Sequence, residues 1–333
     1  MTPHTPHLRR NALKVLALAS LALCTFAPAA MAQGAFPNKP ITLVVTYPPG
    51  GGADAMARLI APKMGEALGQ AVIIENKPGA GGRIAAEALK NAAADGTTLL
   101  LTPVVVPVLA PLVFSKLPYN PSTDFAPVAQ IATFQFSLSV NAAHPSKTVP
   151  ELISWMKANP AQANFGSPAP GSLPHFFGVM ISTGANVDMV HVPFNGGAPL
   201  MNAVAGNQVS TGIDALVDQI EMHRAGKTRI LATSGAKRSP LLPEVPTFVE
   251  SGLKNVEGAG WLGLYATGKT PVATINTLNA AANKALTQAE LRERFLKVGL
   301  EPTGGSAQDL ADIMKRDTDR WGPVVKASGF KAD

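Results

Sequence analysis

The sequence predicts an α/β protein of two units, the first discontinuous in the chain and joined to the second by two chain crossings. Three observations carry this. The chain has 333 residues, more than a single core usually serves, since cores stop growing near ~250 to 300 residues. Apolar, β-branched runs of strand length alternate with segments of helical period, the pattern of a parallel sheet covered on both faces. The most strongly helical segments gather at the C-terminal end while the first unit has few helices of its own, so the economical arrangement returns them to it.

The first 32 residues stand apart. Arg9, Arg10 and Lys14 precede an apolar stretch over 15–26 and then Ala30-Met31-Ala32, the three parts of a secretory signal. The apolar run is shorter than the ~20 residues of a membrane span. Cys24, the single cysteine, follows Leu21-Ala22-Leu23; Leu23 is bulky where a lipoprotein signal wants a small residue. The Arg9-Arg10 pair leaves twin-arginine export open beside the general route. Removal of 1–32 gives a chain without cysteine, hence without disulfide or thiolate metal site. The formal charge of +6 then falls to 25 basic against 22 acidic side chains, too weak a balance for a nucleic-acid partner. At 46% hydrophobic and 15% charged, with 30 Gly and 29 Pro, the remainder reads as a turn-rich globular protein, too apolar for disorder. The later apolar stretch over 97–111 is broken by Pro103 and Pro107, so no span is expected there.

Ile41-Thr42-Leu43-Val44-Val45-Thr46-Tyr47 reads as a buried strand, Pro48-Pro49-Gly50-Gly51-Gly52-Ala53-Asp54 as a glycine loop, and Met56, Leu59, Ile60, Met64 and Leu68 as the apolar stripe of a helix. Pro62 inside that helix removes a donor and should kink it. Strands follow at 71–74 and 97–101, with a helix at 84–94 between them. In the second unit, strands are read at 134–140, 163–166, 189–192, 209–213 and 229–233, and helices at 149–158, 173–183, 198–204 and 219–224. A strand at 261–266 and helices at 271–286 and 308–326 close the chain, with 290–298 between them. The first domain is then 33–134 with 259–333, the second 135–258, and the crossings near 134 and 259 form a hinge.

Three loops could carry chemistry. Gly50, Gly51 and Gly52, between a strand and a helix, let the backbone approach a ligand, and free amides at a helix start favour an anion, phosphate or carboxylate. No Lys-Ser/Thr follows, which removes the phosphate loop of nucleotide hydrolases. Gly79-Ala80-Gly81-Gly82 begins like a dinucleotide fingerprint, but Ile84 replaces the third glycine. Asp54 has two roles open, N-cap with Arg58 one turn on, or ligand contact; the cap is favoured, because an aspartate repels an anion. Ser167-Pro168-Ala169-Pro170-Gly171-Ser172 repeats the strand, turn and helix-start grammar. Two such loops, one from each unit, could face each other across a cleft and hold one carboxylate. Asn195-Gly196-Gly197 and Asp214 stand at carboxyl ends of strands, which line the crevice of open α/β sheets. Tyr47, just before the first loop beside Pro49, is the aromatic residue best placed to stack on a ligand.

The catalytic inventory is thin. His144, His175, His191 and His223 have no partner at metal-ligand spacing, and no Gly-x-Ser-x-Gly elbow occurs. Ser172 and His175 are one turn apart, read as a serine cap with His175 on the first turn. No catalytic residue, metal or cofactor is expected.

Taken together, Phe36-Pro-Asn-Lys-Pro, Tyr47-Pro-Pro-Gly-Gly-Gly-Ala-Asp54, Glu75-Asn-Lys-Pro-Gly-Ala-Gly-Gly82, Asp124-Phe-Ala-Pro127, His191-Val-Pro-Phe194, Leu242-Pro-Glu-Val-Pro-Thr247 and Trp321-Gly322 resemble the Bug family, the periplasmic solute receptors of tripartite tricarboxylate transporters. The resemblance runs over almost all of 36–330. It implies the two-domain, clam-shell periplasmic-binding-protein fold, a periplasmic location, a small organic acid as ligand and membrane permease subunits as partners. It implies that the carboxylate is held by the Pro-Pro-Gly-Gly loop, often through water, and by the loop at Ser167 to Ser172. The ligand-binding set expected on both grounds is Tyr47, Pro49, Gly50, Gly51, Gly52, Ala53, Asp54, Ser167, Gly171, Ser172, His175, Asn195, Gly196 and Asp214, in a monomer. Members usually carry Thr at Ala53, a Gly/Ser-rich loop at Pro168-Ala-Pro170, an acid at Val179 and lysine at Asn195. Loss of a hydroxyl and a cation favours a mono- or dicarboxylate with an apolar or aromatic body over citrate. The competing class is a secreted α/β enzyme acting on a carboxylate substrate.

Overall fold

The computed structural model describes residues 36–50 and 52–332. The proposed signal segment, with Cys24, and Gly51 lie outside the described residues. From Lys39 onward the chain forms one compact unit built on two sheets.

The first sheet begins as the sequence predicts. Strand β1 (Ile41–Val45) leads through the glycine loop into helix α1 (Gly52–Leu68), which contains Pro62, then β2 (Val72–Asn76), α2 (Arg83–Lys90) and β3 (Thr98–Pro103). These three strands pair in parallel, β1 in the middle. The rest of the sheet is not parallel. Strand β4 (Phe125–Phe134) follows, and Gln135 alone separates it from β5 (Phe136–Asn141), which belongs to the second sheet.

The second sheet continues with helix α3 (Val149–Ala158), β6 (Asn164–Ser167), α4 (Leu173–Ala185), β7 (Val190–Pro193), α5 (Gly197–Ala205), β8 (Thr211–Ala215), α6 (Leu216–Arg224) and β9 (Thr228–Thr233). Its strand order is β7-β6-β8-β5-β9; β6 runs parallel to both neighbours, and β5 runs antiparallel to β8 and β9.

The chain then returns. Strand β10 (Gly260–Thr267) inserts between β3 and β4, antiparallel to both, and every one of its residues is buried. Helices α7 (Val272–Leu286) and α8 (Ala289–Lys297), the two-residue strand β11 (Glu301–Pro302) beside β4, and helix α9 (Ala307–Ser328) complete the chain. The first sheet is therefore mixed, in the order β11-β4-β10-β3-β1-β2. A wholly parallel sheet was expected because an apolar run shows that a strand is buried, not the direction of its neighbour.

Helix α9 begins with a capping box in which Ser306 and Asp309 satisfy each other's end groups. It packs on β4 of the first sheet and on α4 beside the second. Trp321 stands edge-on to Phe177 with ring centroids 5.2 Å apart. The indole Nε1 of Trp261 on β10 donates to Asp317 Oδ2 at 2.7 Å in the interior. No helix among the described residues is long and apolar enough to cross a membrane.

Candidate functional site

The first loop is held by one buried carboxylate. Asp54, only 2% exposed, accepts the Gly50 amide at 2.9 Å and Arg58 Nε at 2.7 Å on Oδ2, and Asn76 Nδ2 at 3.0 Å on Oδ1. Asn76 also donates to the Tyr47 carbonyl at 3.0 Å. The Arg58 hydrogen bond holds the carboxyl below its ordinary pKa against the burial that would raise it, with Gly50 and Asn76 adding to the lowering. Helix α1 starts at Gly52, so Asp54 is inside the first turn and not the N-cap favoured from sequence; it reaches backward to close the loop. Both of its oxygens are committed there, so it shapes the loop and offers nothing to an anion. Gly50 has φ +91°, a conformation that a side chain rarely adopts.

The second loop is tied more densely. Ser172 caps α4 by accepting the His175 amide and donates its own hydroxyl to Ala169 O at 2.6 Å, as the spacing of Ser172 and His175 predicts. The Gly171 amide donates to His175 Nδ1 at 3.1 Å. Ser167 Oγ meets Ala169 O at 3.1 Å and His191 Nε2 at 2.8 Å. The His175 and His191 rings are stacked with centroids 3.9 Å apart. Burial, and secondarily the His191 charge, push His175 down to about 4, and burial also lowers His191. The pair is thus neutral at ordinary pH and supports the loop. Gly171, at φ +70°, lies against Phe330, whose ring a Cβ there would approach to 2.3 Å.

The third loop joins the second: the Gly196 amide donates to Pro168 O at 2.8 Å and the Phe194 amide to Ser167 O at 2.9 Å.

A cavity of about 340 Å³ brings the first two loops together. Tyr47 and Ala53 come from the first, Pro168 and Ser172 from the second, and Asp214 from the end of β8. Burial raises the Tyr47 phenol above its usual pKa. Of the expected residues, Tyr47, Ala53, Ser172 and Asp214 line this space. Pro49, Gly50, Asp54, Ser167, Gly171, His175, Asn195 and Gly196 belong to the surrounding loops without lining it, and Gly52 opens helix α1. Val179, singled out as a departure, borders a different cavity with Arg320 and Pro323.

Sequence reasoning missed the apolar wall: Val104 and Val105 after β3, Phe134 and Phe136 around Gln135, Leu262 on β10 and Leu300. It also missed Asp218, whose only signal is its place one helical turn after Asp214. Burial, and then Asp218, push Asp214 up to about 7, and burial raises Asp218 as well. Among the described residues no group of three His, Cys, Asp or Glu could hold a metal ion.

Two sheets joined by paired crossings, with a cavity fed by loops from both, define a periplasmic-binding-protein-like α/β fold. Solved structures agree. An R. palustris protein with adipate is 34% identical at TM-score 0.78, covering 89% of this chain and 99% of that one. MatC from Rhodopseudomonas palustris with bound malate is 33% identical at TM-score 0.74, covering 87% and 100%. BugT of Bordetella pertussis is 31% identical in sequence over 96% of this chain and 99% of its own. Residues 56–330 match the tripartite tricarboxylate transporter family receptor, and the chain belongs to that family.

Proposed function

We propose that the protein is a periplasmic receptor that captures a small organic acid between two domains and delivers it to the permease of a tripartite tricarboxylate transporter. The observation that carries this is the cavity shared by Tyr47 and Ala53 of the first loop with Ser172 of the second. Its wall is mostly apolar, which suits a mono- or dicarboxylate with an apolar or aromatic body. The start of α1, where Ala53 borders the cavity, supplies the anion contact through its free backbone amides. The binding of adipate and malate by relatives supports the ligand class.

The domains in this reading are 33–134 with 259–333, and 135–258, hinged at the two crossings. Closure needs only a few residues to change backbone conformation. Scanning fluorimetry against a panel of organic acids tests the function: a ligand at a hundredfold excess over Kd stabilises by about 2.7 kcal/mol. Small-angle scattering should show a smaller radius of gyration with the acid bound, and the acid should be recovered chemically unchanged. Turnover of the acid would overturn the receptor reading in favour of a secreted enzyme.

A further inference from the structure

Helix α8 ends in a turn over 298–300. Gly299 stands there at φ +74°; its amide donates to Leu296 O at 3.0 Å and the Leu300 amide to Phe295 O at 2.9 Å, the paired bonds that close a helix on a left-handed residue. That conformation alone does not require glycine. Helix α4 ends on Asn186 at φ +49°, and Asn207 beyond α5 has φ +55°. What sets Gly299 apart is its neighbour: a Cβ there would overlap Val217 Cγ1 on α6 and stand 3.5 Å from Leu241 Cδ1.

Both sides of this contact are firm. Val217 is β-branched, with one strongly preferred rotamer in a helix, and Leu216 and Ile220 of α6 pack in one buried cluster with Leu242 and Val245. Behind the turn, Phe295 is fully buried. Ahead of it, Glu301 pairs with Thr133 at the end of β4. On the other side, the Leu216 amide donates to Gln135 O at 2.8 Å. The contact therefore lies beside the first crossing, and on its cleft side, since Val217 and Leu300 both line the cavity.

We propose that Gly299 and Val217 form the stop of the hinge: closure presses the turn against α6, and a residue without a Cβ lets the two halves reach the angle at which the ligand loops meet. The inference rests on the two-domain receptor reading and adds what fixes the closed angle. Gly299 is a positioning residue, acting on the acid through the loops that it allows to come together. A wedge at this point lowers the population of the closed form, and apparent affinity falls by the same factor.

Distance measurement between two spin labels, paired with calorimetry, decides this. The labels sit on Glu66→Cys of α1 and Lys157→Cys of α3, both exposed, in the exported protein with Cys24 replaced by serine. The probes are adipate, malate and benzoate. A bound acid should shift the parent protein to one narrow distance. Gly299→Ala should not reach that distance and should bind the acid at least about tenfold more weakly. Val217→Ala in addition removes the overlapping atom; the double variant should regain the distance and bind within about threefold of Val217→Ala alone. Gly226→Ala controls for backbone strain. Gly226 closes α6 with the same pair of bonds at φ +67°, and nothing lies within 4 Å of a Cβ there. That variant should melt lower yet keep the distance and hold affinity within about twofold. Gly299→Ala closing like the parent, or the double variant staying as open as the single one, overturns the stop and leaves the receptor reading standing. Binding with no change of distance in the parent removes the stop together with closure, but not the capture of an acid. If none of the three acids binds, the stop and the receptor reading fall together.

Discussion

Ser234 and Gly258 are bonded to each other twice: the Ser234 hydroxyl donates to Gly258 O at 2.6 Å, and the Gly258 amide donates to Ser234 O at 2.9 Å. The same hydroxyl accepts the Phe136 amide at 3.0 Å. One buried side chain thus holds the start of β5, just past the first crossing, and the segment that returns to the first sheet. Ser234→Ala should cost about 1–3 kcal/mol by orphaning these groups. It should lower the melting temperature and enlarge the ligand-free radius of gyration in small-angle scattering.

The stacked pair His175 and His191 predicts acid sensitivity. In the unfolded chain His175 returns to its ordinary 6.5, while in the fold it stays near 4. The unfolded state therefore binds the extra proton, and stability present above pH ~6.5 falls as pH drops toward ~4. The loss from His175 alone is on the order of 2 kcal/mol by pH 5. Melting curves between pH 7.5 and 5 measure it, and His175→Phe should flatten the dependence.

Asp54 predicts a loop that fails without unfolding the protein. Asp54→Ala removes the acceptor for Gly50, Arg58 and Asn76, at a cost of about 1–3 kcal/mol. Organic-acid affinity, read by calorimetry, should drop by about tenfold or more. Arg58→Ala, which leaves the Gly50 contact in place, should cost less than threefold.

Gly171 predicts the same for the second loop. Alanine there meets both the positive φ and the Phe330 ring, and should weaken the ligand. Phe330→Ala in addition should recover part of the loss, because one of the two obstacles is gone; calorimetry on the double variant checks the coupling.

Trp261 is 1% exposed and bonded to Asp317. Asp317→Ala should destabilise by about 1–3 kcal/mol and shift the tryptophan emission, while Asp317→Asn, which retains an acceptor, should do less.

The strand, loop and helix order over 41–68 was legible because a β-branched run, a glycine run and a helical stripe each have one local meaning. Strand β4 was not. Pro127 interrupts its pattern, and the structure places Pro127 beside an irregularity in the pairing with β10, where a residue without a backbone donor is tolerated. The loops were legible as loops, but which residues face the ligand depends on pairing. Asp54 on α1 has one of its oxygens filled by Asn76 at the end of β2, and Val104, Phe134 and Leu300 reach the cavity from separate elements whose meeting no local pattern encodes.

The place of β10 has a consequence for the order of assembly. It is the strand between β3 and β4, yet it is made after the whole second sheet. Until residues 260–267 exist, β3 and β4 each present an open edge, and such edges invite pairing with other chains. Contacts that must wait for distant sequence also form slowly. A nascent chain shorter than this cannot close its first sheet, so the protein needs protection from association until its last third has been synthesised.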